Sequence, residues 1–77
     1  MISEVQWIEA FVEELKYYMN EKHISQRELS KLSGLAESTI SDYIHGLRMP
    51  GIRAVNNITI ALGVGVEQLI DFGNMIE

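Results

Sequence analysis

Apolar side chains return every three or four residues along most of this chain, the period of helices that turn one face inward. Over residues 3–22 the stripe is Val5, Ile8, Val12, Leu15 and Met19, widened by Trp7, Phe11 and Tyr18. Ser3 is placed to cap this helix, and Glu4 lies in the first turn, where the helix dipole favours an acid. A short second helix is predicted from Ser25 to Leu32. Ser25 and Glu28 have the S-x-x-E spacing of a capping box, Ile24 can staple onto Leu29, and Gly34 stops the helix ahead of Leu35. A third helix runs from about Glu37 to His45, with Ile40 and Ile44 four apart and Tyr43 beside them, and Gly46 ends it. Residues 47–51 read as a loop, because Pro50 pushes its predecessor out of the helical region. A fourth helix spans Ile52 to Leu62, with Ile52, Val55, Ile58 and Leu62 assigned to one face and Gly63 after its end. A last helix is expected from Val66 to about Phe72, where Val66, Leu69 and Ile70 keep helical spacing. The alternation of Val64 and Val66 is too short for a strand, so the pattern is all-α.

With 77 residues, one domain is the expectation. A chain of this size buries only about 60% of its unfolded surface, and without cysteine no disulfide assists it. Efficient helix packing or oligomerisation must do so. Trp7, Tyr17, Ile60, Phe72, Met75 and Ile76 offer more apolar surface than such a domain easily buries, which points to a homodimer interface at or near the last helix. No apolar run approaches the roughly 20 residues a bilayer requires, and no basic-then-apolar leader opens the chain. No membrane partner is expected, and the lack of cysteine fits a reducing cytoplasm.

Catalytic and metal chemistry find little support. His23 and His45 are isolated, whereas a metal site needs three or four ligands in fixed geometry. No serine has a histidine and an acid at a telling spacing, no glycine-rich phosphate loop is present, and Glu13 and Glu14 point to different sides of a helix. The expectation is a protein that is not an enzyme and takes no metal or cofactor.

The net charge of −5 argues at first against a polyanionic partner. Its distribution changes that picture: residues 1–24 carry −3, residues 54–77 carry −3, and residues 25–53 carry +1, with Arg27, Lys31, Arg48 and Arg53 against Glu28, Glu37 and Asp42. The acid sits at the two ends, so a local basic patch survives in the middle.

Two short helices joined by a tight glycine-containing turn are the physical description of a helix-turn-helix, whose second helix enters the major groove of DNA. Residues 25–45 match it without slack. The segments Ser25-Gln26-Arg27-Glu28-Leu29, Ser33-Gly34-Leu35, Ser38-Thr39-Ile40-Ser41, Gly46-Leu47-Arg48-Met49-Pro50 and Ala61-Leu62-Gly63-Val64 follow in order. On these residues the chain resembles the lambdoid-phage repressor and Cro (XRE) family of helix-turn-helix domains, from about Ile24 to Leu69. The resemblance implies a five-helix, lambda-repressor-like fold with the helix-turn-helix at helices 2 and 3. It implies a DNA-binding transcriptional regulator, a repressor of phage or mobile-element type, acting on a palindromic operator as a homodimer.

By the same resemblance, Gln26 opens the bracing helix and holds a phosphate at a helix N-terminus. Glu37, Ser38, Ser41 and Asp42 are the base-contact candidates. Arg27, Thr39, His45, Arg48 and Arg53 join Gln26 as phosphate-contact candidates. The chain departs from the family where serine is common at Ala36, glutamine at Glu37, a basic residue at Asp42, glutamate at Ile44 and an exposed basic residue at Ile60. Glu37 and Asp42 can accept from cytosine N4 yet repel phosphate. The rival reading is therefore a protein-interaction module or antitoxin of the same fold, with its acidic third-helix face turned to a protein.

Overall fold

The computed structural model describes residues 3–69. Among these residues the helices are α1 (Glu4–Glu21), α2 (Gln26–Ser33), α3 (Glu37–Ile44) and α4 (Ile52–Leu62), followed by a single helical turn, α5 (Val66–Leu69). The all-α class holds. The structure supports four full helices rather than the five expected, since the fifth amounts to one turn. Its predicted continuation to Phe72 lies outside the described residues, as do Met75 and Ile76.

Phe11 and Leu15 of α1, Leu29 of α2, Ile40 of α3 and Ile58 of α4 are fully buried, and Tyr43, Val55 and Leu62 complete the centre. Each such side chain contributes about 1.5–3 kcal/mol through burial. Phe11 anchors the aromatic part: Trp7 stacks on it at 5.6 Å between ring centroids, and Tyr43 meets it edge-on at 6.0 Å. Trp7 is thereby half-buried against the core and is not spare surface, whereas Tyr17 and Ile60 are exposed.

The stripe of α1 is rotated from its predicted position. Phe11, Leu15 and Met19 face the core, while Val5 is 64% exposed and Ile8 and Val12 are half-buried beside Ile44. Both stripes satisfy a helical period, and packing against the neighbouring helices decides which one is buried. Ile52 corrects a second expectation. It is 90% exposed, because it opens α4 and its side chain leans back past the helix start. Leu32, on the outer side of α2, is exposed as well.

Helix ends account for much of the local order. Ser3 caps α1 in a full capping box with Gln6, and Ser25 caps α2 in one with Glu28. In the second, the Ser25 N–H donates to Glu28 Oε1 and the Glu28 N–H donates to Ser25 Oγ, both at 3.1 Å. The backbone N–H of Ser25, then its hydroxyl, hold the Glu28 carboxyl below its ordinary value, with Lys31 adding a smaller pull. The C-terminal ends of α1, α3 and α4 share one pair of bonds, in which two successive N–H groups reach back to carbonyls three and five residues earlier. For α1 these are His23 to Asn20 at 3.2 Å and Ile24 to Met19 at 2.9 Å. The turn forces a positive φ, taken by Gly46 after α3 and Gly63 after α4, but by His23 (φ 56°) after α1.

Two predictions follow from these ends. An L-residue in the left-handed region costs about 1–2 kcal/mol, partly offset by the freedom glycine loses on folding. His23→Gly is expected to raise unfolding stability by roughly 0.5–1 kcal/mol in urea titration, and His23→Ala to give no gain. A loss with glycine would show that the His23 side chain matters more than its backbone. The depressed Glu28 carboxyl contributes stability that is present above the ordinary glutamate range and lost as pH falls through its folded value. Wild type should therefore exceed Glu28→Gln in stability at neutral pH, and the gap should close in acid. A gap that does not change with pH would remove the carboxylate's role.

Candidate nucleic-acid interface

The turn between α2 and α3 is held by hydroxyls as well as by glycine. Gly34 adopts φ 75°, which glycine takes without steric cost. The Ser30 hydroxyl donates to the Leu35 carbonyl at 2.6 Å, and the Leu35 N–H donates to Ser33 Oγ at 3.2 Å. Leu35 is thus gripped at both backbone groups, and its side chain packs against the core. The angle between the two helices is fixed from three sides. The sequence marked Ser33-Gly34-Leu35 as the turn but not Ser30, nor the bonds that the Ser30 and Ser33 hydroxyls make, which carry no periodic signal.

α3 is preceded by Ala36 at its N-cap, which has no side-chain hydrogen-bond acceptor to cap it. Ile40 and Tyr43 root the helix in the core, with Ile44 leaning on the partly buried side. That fixes its rotation. Glu37 and Ser38 are exposed in the first turn, Ser41 and Asp42 are half-exposed one turn later, and His45 is exposed at the end. Ser38, Ser41 and Asp42 thus lie on the side of α3 away from its buried residues, and Glu37, on the same stripe as Ile40 and Ile44, is exposed because it opens the helix. Thr39 is half-buried at the flank. The fold brings these residues together as one polar surface.

The phosphate candidates sit around it. Gln26 is half-buried as the first residue of α2, and Arg27 beside it is exposed. Arg48 is exposed in the loop after α3, and Arg53 in the first turn of α4. Buried Pro50 ties that loop to the body of the domain.

Two contacts on this surface were not visible in the sequence. Arg48 Nη2 lies 3.5 Å from Asp42 Oδ2, and the Leu47 N–H donates to the Asp42 carbonyl at 2.9 Å. Asp42 therefore holds the loop through backbone and side chain, and its negative charge is shared with a cation. As a half-exposed pair it adds little stability; its effect is to set where the guanidinium waits. His45, with its proton on Nδ1, donates to the Ser41 carbonyl at 2.7 Å and lies 3.4 Å from Ser41 Oγ. The ring is folded back along the end of α3. Residues six apart across a glycine turn have no regular spacing, which is why the Asp42–Arg48 pair could not be read in advance.

Among the described residues, no group of three or more His, Cys, Asp or Glu side chains could hold a metal ion. No helix among them is long and apolar enough to cross a membrane.

The comparisons agree with this geometry. A family model described as helix-turn-helix matches residues 15–69. No curated protein matches the chain. Among solved structures, the restriction-modification controller protein C.AhdI from Aeromonas hydrophila is similar, with a TM-score of 0.78 and 25% identity over 82% of this chain and 96% of that one. A hypothetical transcription factor, NHTF, from Neisseria shares the fold with a TM-score of 0.80 and 21% identity, over 91% of this chain and 82% of that one. With a braced helix pair, an outward polar second helix and a family match across most of its length, the chain belongs to the XRE, Cro/CI-like helix-turn-helix family of DNA-binding transcriptional regulators.

Proposed function

We propose that this chain is a sequence-specific repressor of phage or mobile-element type that binds a palindromic operator as a homodimer. The observation that carries the reading is the rotation of α3: burial of Ile40 and Tyr43 turns Ser38, Ser41 and Asp42 outward, with Glu37 exposed beside them at the helix start. In this reading α3 lies in the major groove and those residues meet base edges. Gln26 and Arg27 at the start of α2 face a phosphate, as do Thr39, His45, Arg48 and Arg53 around α3. Two copies place their α3 helices in successive major grooves, about 34 Å apart. The exposed Ile60 and Val66 on α4 and α5 supply apolar surface for a second copy. The domain acts by binding in the cytoplasm, without catalysis, cofactor or membrane.

The similarity to a controller protein, which matches over 96% of its own chain, supports a regulatory role. The rival reading, in which an acidic α3 face meets a protein, loses ground because Arg48 shares the charge of Asp42. Few cations surround α3, so phosphate binding is modest and the salt dependence shallow for a DNA binder.

Ser38→Ala and Arg48→Ala separate the two kinds of contact. Ser38→Ala is expected to relax preference at one operator position, by about 1–3 kcal/mol of discrimination. Arg48→Ala is expected to weaken all operator variants alike and to reduce the salt slope by about one. Binding measured by fluorescence anisotropy over a set of single-base operator variants checks both. If the two substitutions produce the same profile, the assignment of roles is wrong.

A further inference from the structure

The rotated stripe of α1 leaves a feature that DNA binding, as proposed, touches only at His45. Val5, Ile8 and Val12 on α1 and Ile44 at the end of α3 wall an open groove of about 690 Å³. Its floor is close to Gly46, where a Cβ would come into ordinary van der Waals contact with Ile8 Cγ2 at 3.7 Å and Val12 Cγ2 at 3.9 Å. Glu9 and Glu13 stand on the α1 lip, one turn apart and exposed, with Lys16 further along and His45 on the opposite wall. Among the described residues neither Glu9 nor Glu13 is ion-paired.

We infer that this groove docks an amphipathic helix of a second protein, apolar on its buried face and basic on the flank that meets Glu9 and Glu13. The dimensions fit such an occupant. From Val5 to Lys16 the groove wall extends roughly 17 Å, about three turns of helix. Apolar side chains spaced three and four apart match the wall, in the helix-in-groove mode of recognition. Lys16 calls for an acidic or neutral side chain opposite it.

Charge decides between the available occupants. A second copy of this chain, meeting the groove through its own α1 in a two-fold contact, would bring together four carboxylates of Glu9 and Glu13 and only two Lys16 ammonium groups, leaving carboxylate unpaired. Residues 70–77 of this chain contain Asp71 and Glu77 and no Lys or Arg, so they bring the wrong sign. DNA is repelled by the same carboxylates. A cationic helix satisfies the apolar wall and the lip together. It would also lean on Ile44, His45 and Gly46, the end of the helix proposed to read DNA, without covering Glu37 or Ser38 at its start.

The test needs no DNA, so it stands or falls separately from the repressor reading. Two helical peptides of about 14 residues, or four turns, serve as probes. Both carry leucines at three- and four-residue spacing; one has lysines on a single flank and its twin has glutamates there. Each is titrated into the isotope-labelled protein and followed by backbone amide and methyl NMR. The lysine peptide is expected to shift Ile8, Val12, Ile44 and Gly46 in saturable fashion, and the glutamate peptide to bind at least several-fold more weakly. Glu9→Lys with Glu13→Lys, at exposed positions, should weaken the lysine peptide roughly tenfold and improve its twin, with an unchanged melting curve. The inference is overturned if neither peptide binds, if both bind equally, or if the shifts fall on α2 and the start of α3. Shifts of the same groove residues on concentrating the protein alone would assign the groove to a second copy and would also overturn it.

Discussion

The rotation of α3 about its own axis is the constraint on which the rest depends. Ile40 and Tyr43 are buried, three residues apart, and Tyr43 meets the ring of Phe11 on α1. A helix of eight residues has little stability of its own. Its packing into the core therefore both forms it and aims it. Everything polar that follows from residue 37 to residue 45 takes its direction from those two side chains. The turn before α3 is tightened by the hydroxyls of Ser30 and Ser33, and the turn after it by Gly46 and the Asp42 carbonyl. The missing cap at Ala36 is tolerated because both ends of the helix are held from outside it.

Charge is arranged to suit a chain that is acidic in sum. The carboxylates concentrate on α1 and toward the C-terminus, away from the helix pair. Within the pair, Asp42 is not a free anion but the partner of Arg48. A cation tied to the end of α3 can exchange a carboxylate for a phosphate with small net cost, since an exposed pair is worth little in water. In the proposed complex, that exchange would couple contact by the loop to the position of the helix. On α1, Glu9 and Glu13 border apolar surface away from the exposed side of α3.

Features written in neighbouring residues were legible from the sequence. The capping box of Ser25 and Glu28, the stop at Gly34 and the glycines after α3 and α4 each depend on a few adjacent positions, and each stands where expected. The box of Ser3 with Gln6 has the same S-x-x-Q signal, and only its cap residue was picked out. What failed was geometry that a period does not determine. Val5 and Phe11 belong to two stripes of one helix, and only the partner helices decide which faces the core. Ile52 keeps the spacing of Val55 and Ile58 yet lies beyond the edge of the packing. The site was legible as a set of residues on α2, α3 and the loop. Its internal contacts, Asp42 with Arg48 and His45 with Ser41, were not, because they join residues through a turn or by folding a ring back on its own helix.

The measurement that tests the account most directly is selection of bound sites from a random double-stranded DNA pool. The selected site is then titrated at two salt concentrations. The account predicts a two-fold symmetric site whose half-sites are centred about 34 Å apart, or one turn of DNA. That site should be bound far more tightly than a scrambled sequence, with affinity falling only modestly as salt rises. Folded protein that enriches no sequence at low salt would contradict it, and the outward face of α3 would then have to serve something other than DNA.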